Sequence, residues 1–305
     1  MSETLSRPKN SLEIRSLGEC SINELTEQWN LGFSQYFRDM TTTPIAMIAK
    51  LGRWNIHPEL SVAGYIDGVP AGFVLVGLQN IRGRKLAWDG GTGINPAFRG
   101  MGLSKSLMQE AVRRVRVEGA ESFVLETRVE NEKAIRAYVA SSFEIVDTMH
   151  VMRLEGDFTV VPFRSAGESV SFNAVSARPE AVGHLPFYQE AGNSWTTQWF
   201  NAASDQASIA FDANSRPAGY AIYRKEYDAT GRLRSIQLGH CEADPTRADA
   251  PAVIAFLLGE VMEPLATGVN RRVQYMRQRN VHAMSALMEA GFRTHVAEHL
   301  MVCKL

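Results

Sequence analysis

The sequence predicts an α/β protein of mixed α+β type, built as two tandem units, each a mixed, mostly antiparallel sheet flanked by helices. Three observations carry that reading. First, 305 residues make about two ordinary domains, and 45% apolar with 21% charged residues lets each half bury its own core. Second, one ungapped shift of 149 lays the halves over each other: "NEKAIRAYVASSF" (131–143) falls on "NVHAMSALMEAGF" (280–292). The same shift carries Pro96, Gly119, Val124, Arg128, His150 and Met152 onto Pro245, Gly268, Val273, Arg277, His299 and Met301. "PAGF" at 70–73 also returns as "PAGY" at 217–220. Third, strand-like and helix-like periods alternate in an order that no simple βαβ repeat produces. The seam reads at "LEGDFTVVPFRSAGES" (154–169), giving units 1–157 and 158–305.

The elements of the first copy follow in order. "SLEIRSL" alternates and predicts a strand, and "INELTEQWNLGFSQYF" (22–37) predicts an amphipathic helix. "PIAMIAKLGRW" predicts a second helix, capped from the preceding threonine run. "LSVAGYI" and "PAGFVLVGL" flank Asp67-Gly68, a hairpin signal. "KLAWDGGTGI" predicts the next strand, the fourth, whose glycines mark a bulge or a close backbone approach. A helix then runs from Leu103 to about Glu118, with Leu103, Leu107, Ala111 and Val115 on one face and Gly119 as its stop. "SFVLETRV" predicts a strand, 131–142 a helix, and "FEIVDTMHVMRL" a last strand.

Charge and cysteine content exclude several function classes. Against 33 acidic residues stand 32 basic ones, so no global field draws nucleic acid or anionic membrane. The arginines of "AVRRVRVEG" read as a solvated helix face. Cys20, Cys241 and Cys303 are too few and too scattered for a disulfide framework or a zinc site, so no metal is expected. "MSETLSRPKNSLE" has no signal-peptide core, and "APAVIAFLLGEVM" is too short to span a bilayer. A cytoplasmic location is the expectation.

The informative stretch is "INPAFRGMGLSKSLM" (94–108). A triphosphate-binding loop needs lysine and a hydroxyl after its last glycine, and here Gly102 is followed by Leu103 and Ser104. A dinucleotide fingerprint needs three glycines after a first strand, and this loop has two after a fourth. What remains is a loop whose backbone amides, with the start of a helix, gather around an anion. Arg99-Gly100-Met101-Gly102-Leu103-Ser104 resembles the R/Q-x-x-G-x-G/A motif of the GNAT superfamily of N-acetyltransferases, with Ser104 where glycine or alanine is usual.

The resemblance covers most of residues 11–155. It implies two tandem GNAT-like acyl-CoA N-acyltransferase units, with the amides of Gly100 to Ser104 around the pyrophosphate of acetyl-CoA. "TGINP" is similar to the family's strand end, which implies that Asn95 lies at the coenzyme and that the Ile94 N–H faces the thioester carbonyl. "NEKAIRAYVASSF" is similar to N-x-x-A-x-x-x-Y-x-x-x-G-F, with Ser142 in place of the glycine. That match implies that Asn131 bonds the pantetheine arm and that Tyr138 stands at the sulfur and protonates the leaving thiolate. An alkylamine is neutral only about once in a few thousand molecules at pH 7, so a base is required. Glu126, twelve residues before Tyr138 as in relatives that acetylate N-terminal amines, is the first candidate, and Asp89 the second. A carboxylate on a half-exposed strand, paired with Arg128 or Lys133, would equally explain Glu126. Trp54 and Trp88 line either an acceptor pocket or the core, and His150, repeated as His299, reads as packing.

In the second copy Arg99, Gly100 and Gly102 become Ala248, Asp249 and Pro251, and Glu126 and Tyr138 become Tyr275 and Leu287. Acidic groups and a proline there disfavour an anion, so this copy is expected to be degenerate and to hold no coenzyme. "LPFYQEAGNSWTTQWF" (185–200) is a candidate lining for the acceptor pocket. The expected activity is acetyl-CoA-dependent acetylation of a small-molecule or peptide amine, by a monomer or homodimer. The rivals are a non-catalytic acyl-CoA sensor or interaction module and an enzyme using a longer acyl chain.

Overall fold

The computed structural model describes residues 11–159, 162–163, 172–189 and 192–305. Residues 1–10 of the polar start, 160–161 and 164–169 of the seam, and 190–191 of the segment 185–200 lie outside them. The chain forms two compact units: the described residues up to Ile145 with Met301–Leu305, and Val146–Leu300.

In the first unit come β1 (Leu12–Ser16), α1 (Ile22–Gly32), α2 (Pro44–Arg53), β2 (Val62–Ile66), β3 (Val69–Ile81), β4 (Arg84–Ile94), α3 (Leu103–Val117), β5 (Ser122–Arg128) and α4 (Glu132–Val139). The strands lie in the order β1-β2-β3-β4-β5, antiparallel except for the parallel pair β4–β5. The end of the chain joins this unit, where Leu305 N–H donates to Glu121 O at 3.1 Å.

Local chemistry explains the boundaries. Ser21 and Glu24 form a reciprocal capping box at the start of α1. Thr43 caps α2, with Pro44 in its first turn. Asp67 and Gly68 both take positive φ, 49° and 82°, as a two-residue hairpin turn requires. Helix α1 stops at Gly32, short of the Phe37 that periodicity suggests. A Cβ on Gly32 would stand 2.8 Å from Phe73 and 2.9 Å from Gly93, and Phe33 then turns edge-on against Phe73. Tertiary packing overrides the helical pattern there.

Two layers cover the sheet. Facing α1 and α2 are Phe73, Trp88 and the Gly91–Gly93 backbone, against Trp29, Phe33 and Trp54. On the other face Val74, Val76, Ala87, Phe123 and Leu125 pack with Leu107, Met108, Ala111 and Val115 of α3 and with Tyr138 of α4. Leu107 seats directly on the sheet because Gly64 and Gly72 leave it room; a Cβ on either would come within 3.1 Å of its methyls. Truncating so buried a leucine costs roughly 2–5 kcal/mol.

The second unit contains β6 (Glu144–Leu154) from Val146 on, β7 (Asn173–Ala177), α5 (Pro179–Gly183), β8 (Gln206–Phe211), β9 (Pro217–Tyr227), β10 (Leu233–Ala243), α6 (Ala250–Met262), β11 (Asn270–Arg277), α7 (Val281–Glu289) and β12 (Phe292–Lys304) up to Leu300. Its strand order is β7-β8-β9-β10-β11-β6-β12. The parallel pair is again the one beside the long helix, β10–β11. Val253, Ile254, Leu257, Leu258 and Val261 of α6 fill its core. The repeated histidines hold strands: His150 Nδ1 lies 3.2 Å from Thr294 Oγ1, and His299 Nδ1 3.2 Å from Thr148 Oγ1. Among the described residues no helix is long and apolar enough to cross a membrane, and no cluster of three or more His, Cys, Asp or Glu could hold a metal ion.

Candidate active site

The site begins where two strands part. β4 and β5 are paired only from Leu86↔Ser122 to Trp88↔Val124. Beyond Trp88 the ladder to β3 skips one residue, with Val76 opposite Asp89 and Leu75 opposite Gly91, so Gly90 bulges. Gly91 takes φ 151°, and Trp29 lies over it, 2.9 Å from where a Cβ would stand. Farther along, Asn95 N–H donates to Ala71 O at 2.9 Å. Amides alternate sides along an antiparallel strand, so those of Ile94 and Thr92 face away from β3, into the gap that β5 has left. The Ile94 carbonyl faces the same way and accepts from Arg99 Nε at 3.3 Å.

The glycine loop leads out of this gap into α3. Gly100 and Gly102 have φ of 85° and 75°, a left-handed backbone that glycine adopts without strain. Alternating hand along the backbone is the geometry that turns successive N–H groups toward one point. A Cβ on either glycine would meet nothing within 4 Å, so the loop faces open space. No side chain caps α3, so no side-chain acceptor takes up its first amides at the positive end of the helix dipole. The residues fit an anion held by main-chain amides.

The side chains around this loop brace it. Asn95 Nδ2 donates to Pro70 O at 2.8 Å, and its Oδ1 accepts from Ala97 N–H at 3.1 Å. Arg99 also reaches Gln35 at 2.9 Å. Leu103 is buried with Ile66, Ala71, Ile94 and Phe98, pinning the first turn of α3. Met101 is exposed and Ser104 half-buried. Asn131 caps α4, its Oδ1 accepting from Ala134 N–H at 3.4 Å.

Two of the predicted polar residues, Asp89 and Tyr138, meet at the gap, and the third, Glu126, does not join them. Asp89 is buried; Gly91 N–H donates to its Oδ1 at 2.8 Å and Thr92 Oγ1–H to its Oδ2 at 2.7 Å. Burial outweighs both bonds and, with the nearby Glu126 charge, pushes the carboxyl up to about 6. Tyr138 is buried too, with its hydroxyl in hydrogen-bond contact with Thr92. Burial and the Asp89 charge hold that phenol well above its ordinary range. Thr92 Oγ1, which donates to Asp89, is also the atom that the Tyr138 hydroxyl meets. The result is a chain from Tyr138 through Thr92 to Asp89. Glu126 points to the other face, where Trp88 Nε1–H donates to its Oε2 at 2.6 Å. Trp54 meets Trp88 edge-on at 5.5 Å. Thr92 was not foreseen; a hydroxyl set among glycines in "DGGTG" was the available signal.

The equivalent place in the second unit is built differently. Arg247 binds Asp249 and Asp212 at 2.8 and 2.9 Å beside the start of α6. Asn280 Nδ2 donates to Cys241 O at 2.8 Å, tying α7 to β10, and the buried Leu287 stands where the repeat puts Tyr138. Tyr188 and Trp199, from the segment 185–200, pack on Tyr220, Ile209 and Ile222 of this same unit.

Comparison with known proteins agrees with this geometry. Residues 22–143 match the model of the Acetyltransferase (GNAT) family. Among solved structures, a fungal multi-domain GH3 β-N-acetylglucosaminidase with a GCN5-related glucosamine N-acetyltransferase region superimposes with TM-score 0.64 at 14% identity. That match covers 97% of this chain and spans only 38% of the fungal protein. A GCN5-related N-acetyltransferase from Anabaena variabilis gives 0.59 at 15% identity, covering 96% of this chain and 72% of that one. A tandem GNAT protein from the clavulanic acid biosynthesis pathway gives 0.57 at 14%, covering 96% and 98%. No curated protein matches in sequence. Residues 22–143 are thus a GNAT domain, and the chain has the tandem GNAT fold.

Proposed function

We propose that the unit 1–157 transfers an acetyl group from acetyl-CoA to a primary amine by direct attack, and that 158–305 takes no coenzyme. The observation that carries this reading is the meeting, at one strand gap, of an open amide loop, an inward-facing N–H and a buried Tyr–Thr–Asp chain. Acetyl-CoA, when bound, supplies an activated acyl carbonyl on a thiol leaving group. The amides of Gly100 to Ser104 hold its pyrophosphate, and Asn131 its pantetheine arm. The Ile94 N–H stabilises the negative charge that grows on the thioester oxygen.

The amine comes from the face bearing Trp54 and Trp88. There Glu126, held by the Trp88 indole, takes its proton. Asp89 is the second candidate base; its link through Thr92 suits it better to resupply Tyr138. Tyr138 keeps its proton across the neutral range and gives it to sulfur.

The test is a panel of amine and peptide acceptors with acetyl-CoA, following free thiol. Acceptor-dependent thiol release is the expected result. Coenzyme binding without release for any acceptor would instead support the sensor reading, which has no use for Glu126 or Tyr138.

A further inference from the structure

We propose that Lys50 is an internal acceptor, a self-acetylation site lodged where the amine is received. This rests on the acetyl-transfer reading above. Lys50 lies in the last turn of α2 and is half-buried, with its Nζ over the Trp29 ring at 4.3 Å and over the Trp54 ring at 4.2 Å. Among the described residues no carboxylate pairs with it. Helix position does not require this arrangement, since Arg53 occupies the same last turn exposed to solvent. Two indole faces compensate part of the cost of desolvating an ammonium. Burial, with Arg38 nearby, still pulls the group down to about 8.

Both rings lead to the candidate bases. Trp54 abuts Trp88, whose Nε1–H holds Glu126. Trp29 lies on Gly91, whose N–H is bonded to Asp89. Lys50 Nζ therefore stands one indole away from Trp88 on one side and from the β4 bulge on the other. Alternation along β5 puts Val124 and Glu126 on this face, opposite Phe123 and Leu125. The lysine stem is flexible, and its amine is neutral far more often than that of an exposed lysine. In the step, the Nζ–C bond forms as the thioester C–S bond breaks. Nitrogen loses two protons. One passes from the ammonium to the Glu126 carboxylate before attack, and the thiolate takes the Tyr138 proton as it leaves. The second amine proton, released as the amide forms, replaces it on Tyr138. Acetylation also replaces a buried charge by a neutral amide, which the aromatic surroundings accept at lower cost.

The test uses the full-length protein freed of acyl-CoA, incubated with acetyl-CoA and no added amine. Intact mass, peptide mapping and tryptophan fluorescence are followed, with calorimetric titration of CoA alongside. One acetyl group per chain is expected on Lys50, in a first-order process independent of protein concentration. It should form at least about tenfold faster than on the exposed Lys105 and Lys133. The fluorescence change should be missing in Lys50→Arg. A lysine of lowered pKa also reacts faster without catalysis, so the loop must matter: Gly100→Ala/Gly102→Ala should slow Lys50 acetylation about tenfold or more. An equal rate in that variant overturns the proposal. If CoA binds and Lys50 stays unmodified, this inference falls and the acetyl-transfer reading stands. If CoA does not bind, both fall.

Discussion

Replacing Gly100 or Gly102 by alanine separates the loop's folding role from its proposed binding role. Each has a left-handed φ, 85° and 75°, which an L-residue adopts at about 1–2 kcal/mol. Part of that is offset because alanine loses less backbone entropy than glycine, leaving a stability loss of about 0.5–1 kcal/mol. No overlap adds to it, since the new methyl meets nothing within 4 Å. Gly119, φ 82° and equally open, should lose the same amount and serves as the matched control. Coenzyme affinity should part the two cases. In the loop the methyl stands where the pyrophosphate would approach the amides, and losing one or two charge-assisted bonds at ~1.5–3 kcal/mol each removes roughly 2–5 kcal/mol. That weakens binding about 30-fold to several thousandfold. Calorimetric titration with CoA, alongside thermal melts in the same buffer, reads both quantities. Equal weakening by Gly100→Ala and Gly119→Ala, or none by either, refutes the amide-loop reasoning.

Three further outcomes are expected. Tyr138→Phe should lower turnover about a hundredfold with CoA affinity unchanged, and Thr92→Val should act in the same direction; wild-type turnover in Thr92→Val removes the relay. Folding raises Asp89 from 3.8 to about 6, so the folded protein binds that proton more tightly than the unfolded chain. Its contribution to stability therefore grows as pH falls through 6 toward 3.8, and above that window the ionised group costs roughly 3 kcal/mol relative to the protonated one. Asp89→Asn should flatten the change of melting temperature across this window, and an unaltered profile would show that Asp89 titrates normally. Ser142→Gly should stabilise the protein by about 0.5–1 kcal/mol in denaturant titration, because Ser142 has φ 69° on an exposed turn where its repeat partner is Gly291.

Local features were legible in the sequence, and features made by packing were not. The caps of α1 and α2, the Asp67-Gly68 turn and the loop from Gly100 to the start of α3 depend on residues within a few positions of one another. Thr92 escaped because its role depends on the bulge. In a regular strand, residues three apart point to opposite faces, which would separate Asp89 from Thr92. The extra residue at Gly90 reverses the parity and brings both to the same side. The Lys50 environment was equally hidden, since Trp29, Lys50 and Trp54 converge only when two helices pack. The end of α1 was misread for a related reason, an apolar period that continues past Gly32 into residues serving tertiary contacts. The final strands repeat each other, so nothing local tells which core each joins: Met152 packs in the second unit and Met301 in the first.

The duplicated frame shows how little backbone separates chemistry from packing. Both units keep a parallel strand pair beside a long helix, an asparagine capping the next helix, and a glycine at the bulge, Gly90 and Gly239. What differs is how the same positions satisfy their polar groups. In the second unit the Asn280 amide is spent on the Cys241 carbonyl, and Arg247 with two carboxylates occupies the loop. A ligand there would have to displace the Asn280 side chain from the Cys241 carbonyl and approach Asp249 and Asp212 with its own negative charge. In the first unit the loop glycines border open space, and the polar chain that starts at the Gly91 amide runs through Asp89 and Thr92 to end on Tyr138. A fold that leaves such groups ready for a guest gives up the hydrogen bonds its sister uses for stability, a loss sustained only where a ligand returns them.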